Sequence, residues 1–315
     1  MTQHGDKPKI LVTGATGFIG SHMVKYLKDQ GHYVRGTRMG WPESRAHLFG
    51  MADDLHFVNL NDYDSALQAT HNMDMVIHLA SRSGGIASNE RENYKNYREN
   101  LNVDNNVIDA CVKNGVKRLF YASSSYIYSE DQDICYESRI FPAKPQGQYG
   151  WNKLQGLLHC EYAPIDARVG VLFPVYGPYQ DMRGEREKFT TAIVRRVLYA
   201  KAYGSPIEIW GNGKQLRSYL HVDNAVDMIY RVLSSEEYSG PVNIAGETFS
   251  VREVAETACR IVDARPSFQF HIDKPTGPMV SIADKKKFQD LYGGLEYVSL
   301  KDGLTQLIYH AQLEK

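Results

Sequence analysis

The segment "QGQYGWNKLQ" places Tyr149 and Lys153 four residues apart, and so on one face of a helix. A lysine beside a phenol favours the phenolate, which makes the tyrosine a usable proton shuttle. Ser124 closes the apolar stretch "VKRLFYASSS", where its hydroxyl could bond the same substrate oxygen. Taken alone, a tyrosine and a lysine at this spacing are ordinary surface residues. A second constellation changes their meaning. In "ILVTGATGFIGSHMVKYL", an apolar run leads into Gly14, Gly17 and Gly20, and an amphipathic pattern follows. That reads as a buried strand, a tight turn and the start of a helix. The first glycine permits the turn, the second lets backbone approach a ligand, and the third lets helix pack on strand. The helix N-terminus offers free N–H groups and partial positive charge to a pyrophosphate. A dinucleotide site and a tyrosine shuttle together imply a definite chemistry. A proton leaves a hydroxyl as hydride leaves its carbon for a nicotinamide, or the reverse.

Elements that position these residues are legible in the first half of the chain. "KILVTG", "HYVRGTR", "DLHFVNL", the apolar "DMVIHLAS" and "VKRLFYASSS" read as strands. "SHMVKYLKDQG", "YDSALQATHN", "LNVDNNVIDACVKNG" and "NKLQGLLHCEYA" read as the helices between and after them. Such alternation predicts a doubly wound α/β fold, a parallel sheet covered on both faces. Ligands then bind outside the carboxyl ends of the strands, where the glycine turn, "SRSGG" and "SSSYIYS" converge. From about Gly177 the pattern is less regular: a charged run "DMRGEREK", then helices "FTTAIVRRVLYAKA", "HVDNAVDMIYRVLSS" and "VREVAETACRIVDA". "PVNIAG" reads as a buried strand returning to the sheet. The expected organisation is a Rossmann domain over residues 1–170 and a smaller α/β substrate lobe over 171–315. Part of that lobe, about 215–245, is expected to rejoin the first domain.

With 315 residues, 43% hydrophobic and 23% charged, the chain has an ordinary globular composition. A net charge of −1 argues against nucleic-acid or membrane-surface attraction. Cys111, Cys135, Cys160 and Cys259 are scattered without metal-ligand spacing, so reduced thiols and no metal site are expected. No apolar run reaches membrane length, and "MTQHGDKPK" lacks a signal peptide's apolar core. These features predict a cytoplasmic protein.

The motifs "TGATGFIG", "SSS", "YGWNK", "VYGP" and "WGNGKQLRSYLHVDNAV", in this order, resemble the extended short-chain dehydrogenase/reductases over nearly the whole chain. That family acts mostly on nucleoside-diphosphate sugars, and the resemblance implies a bound NAD or NADP and a homodimer. It implies that Gly14, Gly17, Phe18, Ile19, Gly20, Arg38, Asn59, Leu60, Leu79, Ala80 and Ser81 line the cofactor, with Tyr149 and Lys153 reaching it. By the same resemblance Asn100 supports the active-site helix, and Gly84, Gly85, Ser125 and Arg217 contact substrate. A guanidinium at Arg217 suits bidentate binding of a diphosphate; its plainer role is a salt bridge between lobes. "SGGIASN", "RLFYASSSYIYSE", "GEREKFTTAI" and "PVNIAGETFSVREVAE" look most like the GDP-mannose 3,5-epimerases, and "SGG" is shared with GDP-fucose synthases. Lys188 falls on the epimerases' acid/base lysine, while as a bare sequence it is a solvated charge in a charged run.

Several positions depart from the epimerase pattern. Tyr126 stands where those enzymes carry an acid/base cysteine, and Pro174 where the family often has asparagine. Met279 and Ser281 replace arginines that hold the nucleotide, which leaves the base open. Ser125 and Tyr126 occupy the positions where 4,6-dehydratases place an acid, which argues against dehydration. The expected function is therefore epimerisation of a nucleoside-diphosphate sugar through a transient 4-keto intermediate. Ser124, Tyr149 and Lys153 serve as the core, and Tyr126 and Lys188 are candidates for a second proton transfer. A nucleotide-sugar 4-dehydrogenase or keto-sugar reductase with exchangeable NADP(H) fits the same core. A non-catalytic dinucleotide sensor fits less well, because it has no need of the shuttle.

The end of "HYVRGTR" should approach the adenosine ribose. An acidic residue there accepts from both ribose hydroxyls and repels a 2′-phosphate. This chain has Arg38, which instead pairs with a phosphate and stacks on adenine, so NADP is favoured over NAD. Asp53 and Asp54 are the acidic groups that could take the ribose instead.

Overall fold

Strand β1 (Lys9–Thr13) runs into the middle of a seven-stranded sheet, which explains its composition. Ile10 and Val12 face one helical layer and Leu11 the other, so both faces need apolar side chains. The computed structural model describes residues 7–40, 42–83, 93–182, 187–274 and 276–313. The strands that follow are β2 (Tyr33–Arg38), β3 (Asp54–Phe57), β4 (Met75–His78), β5 (Arg118–Ser124), β6 (Ile134–Cys135), β7 (Asp166–Leu172) and β8 (Val175–Tyr176). Next come β9 (Ile207–Trp210), β10 (Leu216–His221), β11 (Val242–Ile244), β12 (Glu247–Ser250), β13 (Phe268–His271) and β14 (Val280–Ala283). The large sheet has the order β3-β2-β1-β4-β5-β7-β11 with every pairing parallel. Its order reverses between β1 and β4, and it is at the carboxyl ends of strands at such a reversal that sheets of this kind bind ligands.

Helices α1 (Phe18–Asp29), α2 (Ala46–Phe49), α3 (Tyr63–Thr70), α4 (Asn93–Lys113) and α5 (Gly147–Tyr162) belong to the first half. The second half carries α6 (Phe189–Tyr203), α7 (Val222–Ser234), α8 (Val251–Ile261), α9 (Lys286–Tyr292) and α10 (Leu300–Leu313). On one face of the sheet, Met23, Val24 and Leu27 of α1 share a core with Ala225, Met228, Ile229 and Val232 of α7. On the other, α3, α4 and α5 cover it through Ala66, Val107, Ile108, Cys111, Leu154 and Leu157. A third core joins α6, α8 and α10 around Ile193, Val197, Val254, Ala258, Leu304 and Leu307. The chain re-enters the first core at α7, and β11 pairs β7 in register Val242↔Gly170.

Several elements differ from the sequence pattern. Helix α4 begins by Asn93 and α5 at Gly147, both earlier than the apolar periodicity suggests, because their first turns are polar. Strand β4 is not wholly apolar, since it ends on the buried His78. Strand β7 was hidden by Asp166 and Arg168. Arg168 is buried only because it donates to Asp166 and to the Val232 carbonyl. A second sheet, β12-β10-β14-β6 with β8 also on β10, and a β13–β9 pair hold the remaining strands, and β6 brings a segment of the first half into that second sheet. Its strands are two to six residues long, and pairs such as Ile282↔Ile134 join distant segments, so local patterning does not announce them.

Candidate active site

The turn after β1 is built so that only glycine fits. Gly14 has φ +67°, and a Cβ there would lie 2.9 Å from the Ala80 Cα, on the chain leaving β4. A Cβ on Gly20 would lie 2.1 Å from the Gly14 carbonyl oxygen, so the first turn of α1 rests directly on the glycine turn. Gly17 is the N-cap residue of α1 and gives no side-chain cap to its first-turn amides. A cradle that a Cβ would fill, at an uncapped helix N-terminus, fits a dinucleotide pyrophosphate. Thr37 braces it by accepting from the Gly14 N–H at 3.2 Å. Phe18 and Ile19 are half-buried in the opening turn of α1, Leu60 is buried and Asn59 is exposed. At the end of β2, the Arg38 guanidinium lies 5.2 Å from the centre of the Phe57 ring. The two candidate carboxylates nearby have other partners. Asp53 pairs with Lys28 at 2.7 Å and caps the Val34 N–H, and Asp54 accepts from Arg35 and His56.

Ser124, Ser125 and Tyr126 lie at the end of β5 and in the turn after it, and Tyr149 and Lys153 lie in the first two turns of α5, which packs on that turn. Gly150 makes this possible, because a Cβ there would lie 2.3 Å from the Tyr126 carbonyl oxygen. That carbonyl accepts from the Gln146 N–H at 2.7 Å, which ties the turn after β5 to the start of α5. The Ser124 hydroxyl accepts from the Tyr126 N–H at 3.4 Å, and Ser125 is buried. Tyr149 is half-buried, its ring edge-on to that of Tyr126 at 5.8 Å and 79°. Burial pushes the Tyr126 phenol above its ordinary pKa, opposed by the charge of Arg217. It is therefore a neutral phenol and a weaker acid than a free tyrosine, so moving a proton through it would need a bound substrate to change its surroundings. Lys153 is buried; its ammonium donates to the Tyr121 hydroxyl at 3.3 Å and stands 3.6 Å from the Asp104 carboxylate.

Residues implied by resemblance divide into those at this junction and those elsewhere. Arg217 is on β10, and its guanidinium donates to the carbonyls of Leu216, Thr276, Pro278 and Met279. It braces the segment before β14 rather than forming a salt bridge between lobes, and burial lowers its pKa. Lys188 is exposed at the N-cap of α6. Asn100 supports the chain leaving β4, accepting from Arg82 N–H at 2.7 Å and donating to the Arg82 carbonyl at 2.9 Å. The Ser81 hydroxyl donates to the same Asn100 Oδ1 at 3.4 Å. Gly84 and Gly85 lie outside the described residues. Among the described residues no cluster of histidine, cysteine and carboxylate could hold a metal, and no helix is long and apolar enough to cross a membrane.

Sequence reasoning missed Thr13, His78, Asp104 and Tyr121, which lie buried beneath the site. A signal was present. Asn100, Asp104, Ile108 and Cys111 fall at helical spacing on the buried face of α4, so a carboxylate was being placed in the core.

Comparison with known proteins agrees with this geometry. Residues 10–245 match the NAD dependent epimerase/dehydratase family. The chain is 33% identical to GDP-mannose 3,5-epimerase 1 of Oryza sativa subsp. indica, over 98% of this chain and 84% of that protein. It is 31% identical to GDP-L-fucose synthase 1 of Arabidopsis thaliana, over 95% of this chain and 91% of that one. The solved structure of UDP-glucuronic acid 4-epimerase from Bacillus cereus, in complex with UDP-glucuronic acid and NAD, shares the fold. Its TM-score is 0.84 at 24% identity, covering 98% of this chain and 100% of that one. By the family match over residues 10–245 and the likeness to these relatives, the chain belongs to the NAD dependent epimerase/dehydratase family.

Proposed function

We propose that the protein is a nucleoside-diphosphate-sugar epimerase that works through a transient 4-keto sugar. What supports this reading is the junction of β5 with α5, where the Ser124 hydroxyl accepts from the Tyr126 N–H, the Tyr126 ring meets that of Tyr149, and Lys153 follows one turn later on the same helix. A bound nicotinamide would supply the hydride acceptor and donor that this chemistry needs. Tyr149 removes the proton of the 4-hydroxyl and later gives it back. Ser124 orients that hydroxyl, and Lys153 stabilises the phenolate and holds the cofactor ribose. Where a centre beside the ketone is inverted, Tyr126 and Lys188 are the groups in this reading that move the second proton. Arg217, Ser125 and the segment containing Gly84 and Gly85 bind the sugar nucleotide.

For the cofactor we favour NADP, since Arg38 offers a cation at the ribose end of β2 and Asp53 and Asp54 are held by other groups. A second reading is a keto-sugar reductase with exchangeable NADP(H), which would use the same Ser124, Tyr149 and Lys153. Pairing with a second copy would cover the open groove lined by Asn93, Tyr94, Tyr97, Gln148 and Trp151, where Tyr94 is 75% exposed. Sedimentation as a monomer would contradict that pairing. Purified protein incubated with a panel of nucleotide sugars in deuterated water tests the function itself. Epimerisation beside the ketone gives a mass gain at that carbon, lost in Lys188→Met. Consumption of added NADPH with no epimer formed would favour the reductase.

A further inference from the structure

Asp104 is a carboxylate with 1% exposure, placed in the core between three elements of the nucleotide-binding half. Its oxygens accept from the Tyr121 hydroxyl of β5 at 2.6 Å and from His78 Nε2 of β4 at 3.0 Å. The Lys153 ammonium of α5 is 3.6 Å away, and lies 4.7 Å over the centre of the Tyr121 ring. Burial alone would raise this carboxyl's pKa. The charge of Lys153 and the bonds from His78 and Tyr121 outweigh burial and hold it below the usual carboxylate range, so it is an anion. The backbone has been shaped around the arrangement. A Cβ at position 156 would lie 2.1 Å from the Tyr121 hydroxyl oxygen, so Gly156 leaves the space in which that hydroxyl reaches Asp104 and Lys153. On the far side, His78 Nδ1 lies 2.7 Å from the Thr13 hydroxyl. Thr13 already accepts from the Leu79 and Ala80 N–H groups at 3.2 Å, so its hydrogen goes to Nδ1 and His78 presents Nε2–H to Asp104. One buried chain therefore joins the residue before Gly14 to the lysine under the active site.

We propose that Asp104 is a positioning residue: the buried counter-ion that holds Lys153 in place and sets the pH range over which Tyr149 and Lys153 work. This rests on the function proposed above. A lysine acts on its neighbouring phenol through its charge, and an anion beneath it opposes part of that field. Among the described residues, Cys160 of α5 is a further titratable group near Asp104, and Cys111 lies on the same helix as Asp104. Burial pushes both thiols up, so they stay neutral. Helix α3 also packs on α4, but its titratable Tyr63 and Asp64 are exposed. Tyr121, facing both charges, is held neutral by burial and by Asp104. Asp104 is thus the anion that decides how much of the lysine's charge Tyr149 feels.

Asp104→Asn and Asp104→Ser remove the charge with and without an amide. In each, the field of Lys153 on Tyr149 is no longer opposed, so phenolate forms more readily. The buried ammonium, without its counter-ion, is also lost more readily as pH rises. Both limbs of the pH–turnover profile should move to lower pH by roughly half to one unit. Tyr121→Phe keeps the charge and removes the bridging hydroxyl; it should lower turnover and leave the limbs in place. A second readout needs no substrate. The near-ultraviolet phenolate absorbance of Tyr149, obtained in the apoprotein by difference against Tyr149→Phe, should rise at lower pH in the Asp104 variants. Should no sugar nucleotide be turned over, the functional reading fails while this absorbance still tests the counter-ion. Folded Asp104 variants with an unmoved absorbance curve, or with lowered turnover at unchanged limbs, would reduce Asp104 to a packing role and overturn the proposal.

Discussion

Tyr149 is the residue on which the proposed chemistry turns, since its hydroxyl is the only atom asked to both take and return the sugar's proton. Tyr149→Phe should cut turnover by about a hundred- to ten-thousandfold and leave cofactor affinity intact, as read by steady-state rates and by cofactor titration. Retained activity would remove Tyr149 from its role. At the other end of the crevice, the wild type should bind NADP more tightly than NAD, and Arg38→Asp should reverse the order. Tighter NAD binding by the wild type would contradict the preference. The glycine turn, the strand that ends on Ser124 and the helix that carries Tyr149 and Lys153 were legible because each declares itself within a few residues of chain. Asp104 and His78 were not, since they are 26 residues apart and become partners only when α4 packs beneath β4 and β5. A buried carboxylate on an amphipathic helix says that a partner exists, not which one.

Helix α5 shows how closely an element must lie to serve the site. Gly150 rests on the Tyr126 carbonyl and Gly156 on the Tyr121 hydroxyl, so two turns of the helix nearly touch β5 and the turn after it. Gly156→Ala would place a methyl 2.1 Å from the Tyr121 oxygen, and it should destabilise the fold by about 1–3 kcal/mol in denaturant unfolding. A neutral result would mean that Tyr121 moves freely and that the contact is not shaping the site. Elements of the large sheet were readable because strands buried on both faces need continuous apolar residues. β7 escaped notice because Asp166 and Arg168 interrupt its run and are satisfied by each other. The second sheet was invisible for a different reason. Its strands, such as Val175–Tyr176 and Ile134–Cys135, are too short to show a period, and their partners come from elsewhere in the chain.

Across the whole molecule, the seam between the glycine-turn helix and the C-terminal elements is lined by histidines. The Tyr179 ring meets His310 at 4.3 Å, His47 at 4.7 Å and His22 at 5.9 Å, while His221 at the head of α7 packs on Tyr176 at 5.6 Å. Burial lowers the pKa of His22, His32 and His221 below 6.5. In the unfolded chain these rings take up protons near pH 6.5, whereas in the folded protein they resist. Stability is therefore full above that pH and falls as pH drops through it, by up to about 1.4 kcal/mol per unit for each histidine. The melting temperature should be lower at about pH 5.5 than at about pH 7.5, and His22→Gln should shrink the difference; equal melting temperatures would contradict the burial of these rings. The proposed reaction asks the same molecule to keep hydride within one active site from departure to return. A nucleotide-sugar substrate carrying deuterium at carbon 4 tests this most directly. The account predicts an epimerised product that keeps its deuterium, with none in released cofactor. Deuterium appearing in free, reduced nicotinamide would contradict it.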